Sequence, residues 1–123
     1  MLKKKLRLTR NKEFTYIYRK GFKLKGRYFT IYALRGSKEM MIGFSLSKKV
    51  GNAVIRNLYK RRLHEIFKDL LPGMKLNKYV VVASPYIKDA SYQELKEDIL
   101  TTLEKSDFIV LKEVDGEYNR DTN

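Results

Sequence analysis

The stretch SKKVGNAVIRNLYKRRLHEIF, residues 47–67, constrains the fold more than any other part of the chain. It holds six Lys and Arg residues and no acid before Glu65. An apolar series runs through it at Ile55, Tyr59, Leu63 and Ile66, with Leu70 just beyond. On a helix these five residues fall within roughly 80° of one side. Arg56, Lys60, Arg61, His64 and Lys68, with Asn57, fall within an arc of roughly 140° away from that stripe. The pattern predicts a helix from about Asn52 to Leu70. Its greasy side must be buried on another element, so it belongs to a packed domain rather than standing alone. Leu71-Pro72-Gly73 stops it, because proline cannot continue the hydrogen-bond ladder.

The flanking segments supply a sheet for it to lie on. Asn11 is expected to cap a short helix, KEFTYIYRK, ending at Gly21, with Phe14, Ile17 and Tyr18 on one face. RYFTIYALR, residues 27–35, alternates and is rich in aromatic and β-branched residues, which predicts a strand. One face carries Phe29, Ile31 and Ala33, the other Tyr28, Thr30, Tyr32 and Leu34. After a turn at Gly36-Ser37, MIGFSLS (41–47) sets Ile42, Phe44 and Leu46 against Met41, Gly43, Ser45 and Ser47. KYVVVAS (78–84) is almost continuously apolar, as a central strand is. Ser91-x-x-Glu94 is a capping box before a helix striped by Tyr92, Leu95, Ile99 and Leu103. DFIVLKEV (107–114) is expected to add one more strand. Residues 1–8 form a basic arm and 116–123 a frayed tail. The whole, 1–123, is expected to be one α/β domain, a small two-layer α/β sandwich.

Charge narrows the function. There are 27 Lys and Arg against 14 Asp and Glu, a formal net of +13. Residues 1–62 carry 19 basic and 2 acidic side chains, while 63–123 carry 8 basic and 12 acidic. Such a field repels itself unless a polyanion answers it, and nucleic acid is the leading candidate. An anionic membrane surface is the rival, weakened because the cations sit among core-forming segments. No apolar run is long enough to span a bilayer, and the basic start lacks the apolar stretch of a secretory signal. With no Cys in the chain, disulfides and thiolate metal sites are excluded; a cytoplasmic protein is expected.

A charged helix face is often simply solvated. Here no counter-charge accompanies it, and like charges at i, i+4 destabilise a helix by about 0.2–0.5 kcal/mol per pair. Neighbours on the row stand about 6 Å apart along the axis, close to the spacing of successive phosphates. Arg forks two hydrogen bonds to one phosphate and Lys supplies a point charge. Just before the helix, Lys48, Lys49, Gly51 and Asn52 surround a helix N-terminus, which favours an anion. The candidate nucleic-acid-binding set is therefore Lys48, Lys49, Asn52, Arg56, Asn57, Lys60, Arg61 and His64.

A second candidate surface is aromatic. Phe14 and Tyr18 sit one turn apart, Tyr28, Thr30 and Tyr32 share a strand face, and Ser45 lies beside them. Rings stack unpaired bases with little sequence preference, at about 1–3 kcal/mol per base; the competing assignment is ordinary core packing. Catalysis by the protein itself is not expected. Glu13 and Glu39 are the only carboxylates before Glu65, and a two-metal site draws on several. Glu94, Glu97 and Asp98 read as an exposed helix face. His64 and Glu65 diverge by about 100° on a helix. No catalytic residue and no protein-held metal is assigned.

KKVGNAVIRNLYKRRLHE resembles the signature of the protein subunit of bacterial ribonuclease P. The matching positions are Lys48, Lys49, Gly51, Ala53, Arg56, Asn57, Lys60, Arg61 and Glu65. RLTRNKEFTYIY, RYFTIYAL and YVVVAS extend the resemblance over most of the chain. His64 stands where that family usually has Arg, and Leu58 where many members are basic. The resemblance implies a left-handed βαβ crossover containing the motif helix. It implies a large catalytic RNA as partner, bound through the motif, and precursor tRNA as substrate, its single-stranded 5′ leader held in a cleft between the first helix and the sheet. It further implies that the RNA performs the hydrolysis with Mg²⁺, which the RNA mainly holds. No further protein partner and no membrane are expected. The alternatives are a general RNA-binding or ribosomal protein and, less consistent with the scarce acids, a protein-only nuclease.

Overall fold

The computed structural model describes residues 3–106 and residue 108. In chain order the regular elements are α1 (Asn11–Lys20), β1 (Phe22–Lys25), β2 (Phe29–Leu34), β3 (Met41–Ser45), α2 (Ala53–Leu70), β4 (Lys78–Ala83) and α3 (Tyr92–Lys105). The four strands form one mixed sheet in the order β1-β2-β4-β3. β1 and β2 pair antiparallel, as do β2 and β4, while β3 and β4 run parallel. α2 is the crossover that joins those two parallel strands, and β4 is central, as its apolar run predicts.

Strand alternation decides which helix covers which face. Phe29, Ile31 and Ala33 of β2 point the same way as Tyr79, Val81 and Ala83 of β4, and all are buried. They meet Tyr59, Leu63, Ile66, Phe67 and Leu70 of α2 and Leu95, Ile99 and Leu103 of α3 in one core. The opposite face carries a smaller cluster of Leu8, Ile17 and Val80, bordered by Phe14, Tyr32, Leu34 and Met41. The fold is therefore an α/β sandwich of the sheet and the α2–α3 layer, with α1 lying across part of the far face.

The helix ends are set locally. The Asn52 side-chain oxygen accepts from the Ile55 N–H at 3.0 Å and starts α2. Ser91 and Glu94 form the expected reciprocal box, at 3.1 and 2.9 Å. α1 begins one residue earlier than its sequence suggests, with Arg10 at the cap position and no side-chain cap bond. Gly21 ends it, donating its N–H to the Ile17 carbonyl at 2.8 Å.

Two expectations are corrected, and one strand is added that the sequence reading did not include. The basic start is not an irregular arm. Lys4–Leu6 make a short 3₁₀ turn, Arg7 bridges to Ile42, and the Leu8 N–H donates to the Ile42 carbonyl at 2.9 Å. Leu8 is buried, so an apolar side chain helps to dock residues 4–8 along the outer edge of β3. β1 is an additional edge strand whose only buried side chain is Leu24, which left little apolar signal to read. Asp98 is no mere surface acid: its two oxygens accept the N–H groups of Arg27 and Tyr28, each at 2.7 Å. The strand expected over 107–114 and the tail at 116–123 lie outside the described residues, Phe108 excepted. Phe108 is buried beside Tyr79, with ring centroids 6.1 Å apart.

Candidate nucleic-acid interface

The loop before α2 passes tightly over the helix's first turn. A methyl group on Gly51 would come within 2.8 Å of the Ile55 side chain. Arg56 folds back over this loop, its Nε donating to the Gly51 carbonyl at 3.2 Å. Lys48, Lys49, Asn57, Lys60 and Arg61 are exposed, and Arg56 is half-buried. Of the predicted set, Asn52 uses its side-chain carbonyl to cap the helix.

His64 departs from the expected row. Helical periodicity sets it among the cations, yet it is only 5 % exposed. Phe44 of β3 reaches over it, ring edge to ring face, with centroids 4.8 Å apart. Burial, and then the positive charges of Arg7 and Lys60, hold its imidazole below the ordinary pKa, against a weaker opposing pull from Glu65. The side chain is therefore uncharged near neutral pH. It lines a groove rather than joining the exposed cations.

That groove, of about 690 Å³, runs between α1, β3 and α2. Phe14 and Tyr18 wall it from α1, residues 42–45 of β3 and Leu46 just beyond line it, and Lys60 and His64 close it from α2, with Arg7 at the rim. Phe14 and Tyr18 have ring centroids 6.4 Å apart, and Tyr18 meets Tyr32 edge-on at 5.0 Å. Gly43 makes this possible, because a methyl group there would collide with the Phe14 ring. Strand register adds the rest: Ser45 lies opposite Val82, which lies opposite Thr30. Gly43, Val80 and Tyr32 form the parallel row beside it. The structure thus brings Phe14, Tyr18, Thr30, Tyr32 and Ser45 to one face.

Tyr28 is the exception. The strand starts only at Phe29, so alternation does not extend to Tyr28; the bend there, tied down by Asp98, turns the ring into the α3-side core. Arg7 and Gly43 were missed as groove residues, though the alternation of MIGFSLS had put Gly43 on the correct face. A smaller depression of about 90 Å³ lies beside the groove, lined by Leu46, Ala53, Arg56, Asn57 and Lys60. Lys60 borders both.

The acids hold the scaffold together. Glu13 pairs with Lys78 at 3.1 Å and Asp69 with Lys96 at 3.2 Å. Glu94 caps α3, and its hydrogen bonds with Ser91 keep its carboxyl below the usual pKa. Among the described residues, no group of three or more His, Asp or Glu side chains is arranged to hold a metal ion. No described helix is long and apolar enough to cross a membrane.

The family model described as Ribonuclease P matches residues 2–107. The chain belongs to the ribonuclease P protein family. It is similar to the ribonuclease P protein component of Geobacillus sp. (strain WCH70), 35% identical over 108 residues that cover 85% of this chain and 93% of the relative. The Listeria welshimeri protein component is 34% identical over 105 residues, covering 83% and 88%. Among solved structures, Staphylococcus aureus RNase P protein superposes with a TM-score of 0.78 at 29% identity, covering 85% of this chain and 98% of that one. The RNase P protein from Thermotoga maritima, at 24% identity and a TM-score of 0.71, shares the fold. The chain is thus a protein subunit of the tRNA-processing endoribonuclease ribonuclease P and a partner of its RNA. The general RNA-binding or ribosomal assignment is set aside.

Proposed function

We propose that the cationic side of α2 seats on the catalytic RNA and that the groove beside it holds the single-stranded 5′ leader of precursor tRNA. The observation that carries this reading is the meeting of two chemistries at Lys60: an aromatic-walled groove on one side and the Arg56–Asn57 depression on the other. Phe14 and Tyr18 offer rings to unpaired bases of any identity. Arg7 and Lys60 meet leader phosphates at the rim. Arg56, Asn57 and Arg61, with Lys48 and Lys49 at the helix start, meet phosphates of the RNA. His64 serves as a neutral polar group in the groove rather than as an added charge.

The chain binds and orients; the RNA cleaves. Mg²⁺ would supply Lewis-acid chemistry within the RNA's active site. The carboxylates at Glu13, Asp69, Glu94 and Asp98 are committed to structural contacts, which fits a metal held mainly by the RNA. Reconstitution tests the reading. Mixed with a bacterial ribonuclease P RNA at low Mg²⁺, the protein should restore cleavage of precursor tRNA. Phe14→Ala and Tyr32→Ala should weaken precursor-tRNA binding more than mature-tRNA binding. Equal losses for both ligands would remove the leader from the groove.

A further inference from the structure

The same sheet face continues past the groove. The register that sets Ser45 opposite Val82 and Val82 opposite Thr30 goes on to set Thr30 opposite Lys25. The neighbouring row runs Gly43, Val80, Tyr32, Lys23. Residues paired across strands point to the same side of a sheet. Lys23 and Lys25 therefore rise from the face that carries Ser45, Thr30 and Tyr32, while Leu24 between them turns into the core. α1 follows the second row: Phe14 sits over Gly43, Ile17 packs with Val80, and Tyr18 meets Tyr32. It leaves the first row uncovered, with Ser45, Val82 and Thr30 only half-buried and Lys25 exposed. The result is a track with an aromatic wall on one side, opening from the groove at β3 and closing on two ammonium groups at β1. No acidic side chain occupies either row.

We propose that this track extends the leader site across the sheet, with Lys23 and Lys25 taking phosphates of leader nucleotides farther 5′ than those in the groove. The inference rests on the leader occupying the groove. Three inter-strand steps of roughly 4.8 Å separate β3 from β1, a run of about 14 Å. An extended strand needs about two to three more nucleotides to cross it. The added contacts are to phosphates, which carry no sequence information, so they favour leader length rather than sequence.

Lysines on an edge strand also guard against strand-to-strand aggregation, and the test must separate that role from leader binding. The reconstituted holoenzyme is titrated with precursor tRNAs carrying a graded series of leader lengths, using wild type, Lys23→Gln/Lys25→Gln and Phe14→Ala. Wild-type affinity is expected to climb with length and then level off. In the double lysine variant it should level off about two to three nucleotides sooner. Its log–log salt slope on long leaders should be shallower by about 1.4, two single-strand phosphate contacts at about 0.7 each. Affinity for the shortest leaders should match wild type, which also reports an intact fold. If the double variant keeps the full length dependence while Phe14→Ala loses it, the track is overturned and the groove assignment stands. If only self-association changes, the lysines are edge guards and the track is overturned. If no protein, wild type included, responds to leader length, the groove assignment falls as well.

Discussion

Gly43→Ala offers a sharp test of how α1 is seated. The Phe14 ring lies where the new methyl group would go, and the Leu8 Cβ stands 3.0 Å from the same point. Neither neighbour can yield easily, since Phe14 belongs to a helix packed on Val80 and Leu8 is pinned by its hydrogen bond to Ile42. Overpacking of this kind costs about 1–3 kcal/mol, offset by about 0.5–1 kcal/mol that Ala gains over Gly within a strand. A net loss of roughly 1–2 kcal/mol is expected. In a Phe14→Ala background the ring is gone and only the Leu8 Cβ, at 3.0 Å, still crowds the methyl group, a cost that the gain of Ala over Gly within a strand offsets, so the same change should be nearly neutral. The two substitutions should therefore couple by about 1–2 kcal/mol, within the range for residues in contact. Urea denaturation of the four proteins of the cycle, followed by circular dichroism, measures the coupling. Additivity within about 0.5 kcal/mol would refute the close approach of Phe14 to β3.

Other expectations follow from single contacts. Asp98→Ala removes the acceptor for two backbone N–H groups at the turn before β2, and should cost about 2–3 kcal/mol in a denaturation midpoint series; an unchanged midpoint would show that water replaces the carboxylate freely. His64 has a folded-state pKa below its unfolded value of 6.5, so the unfolded chain takes up the proton first. Stability from this residue is present above about pH 6.5 and is lost as pH falls from there through the folded pKa; His64→Gln should flatten that part of a stability-against-pH curve, and an unaltered slope would put the proton uptake elsewhere. Lys60→Ala and Arg61→Ala should each raise the Mg²⁺ needed for half-maximal cleavage by the reconstituted enzyme, because phosphate charge is then left for the metal to screen. Superimposable Mg²⁺ titrations would count against the electrostatic role.

The most legible parts of the chain carried strong local signals. Asn52, the stripe from Ile55 to Leu70 and the Pro72 stop define α2 without tertiary help, and Ser91 with Glu94 does the same for α3. Alternation at Phe29, Ile31 and Ala33 assigned the faces of β2 correctly. What escaped depended on partners distant in sequence. His64 sits among cations by periodicity, and only Phe44, arriving from β3, buries it. Tyr28 would continue the alternation of β2, but Asp98, seventy residues on, bends the chain just before the strand begins. β1 has one buried side chain in four, too few for a pattern. Leu8 docks because β3 has an open edge, a fact about sheet order that no local window contains.

Sheet order also governs when this protein becomes a protein. β4 is the one strand that touches both β2 and β3, and it is made last of the four. A ribosome-bound chain that ends before Lys78 has a β1–β2 hairpin, a β3 with no neighbouring strand and an α2 without the central strand of the sheet it packs on. Long-range pairings of this sort form late and slowly. Nascent and truncated chains therefore lack a rigid arrangement of charges to offer any nucleic acid, and only the nearly finished polypeptide competes for its partner.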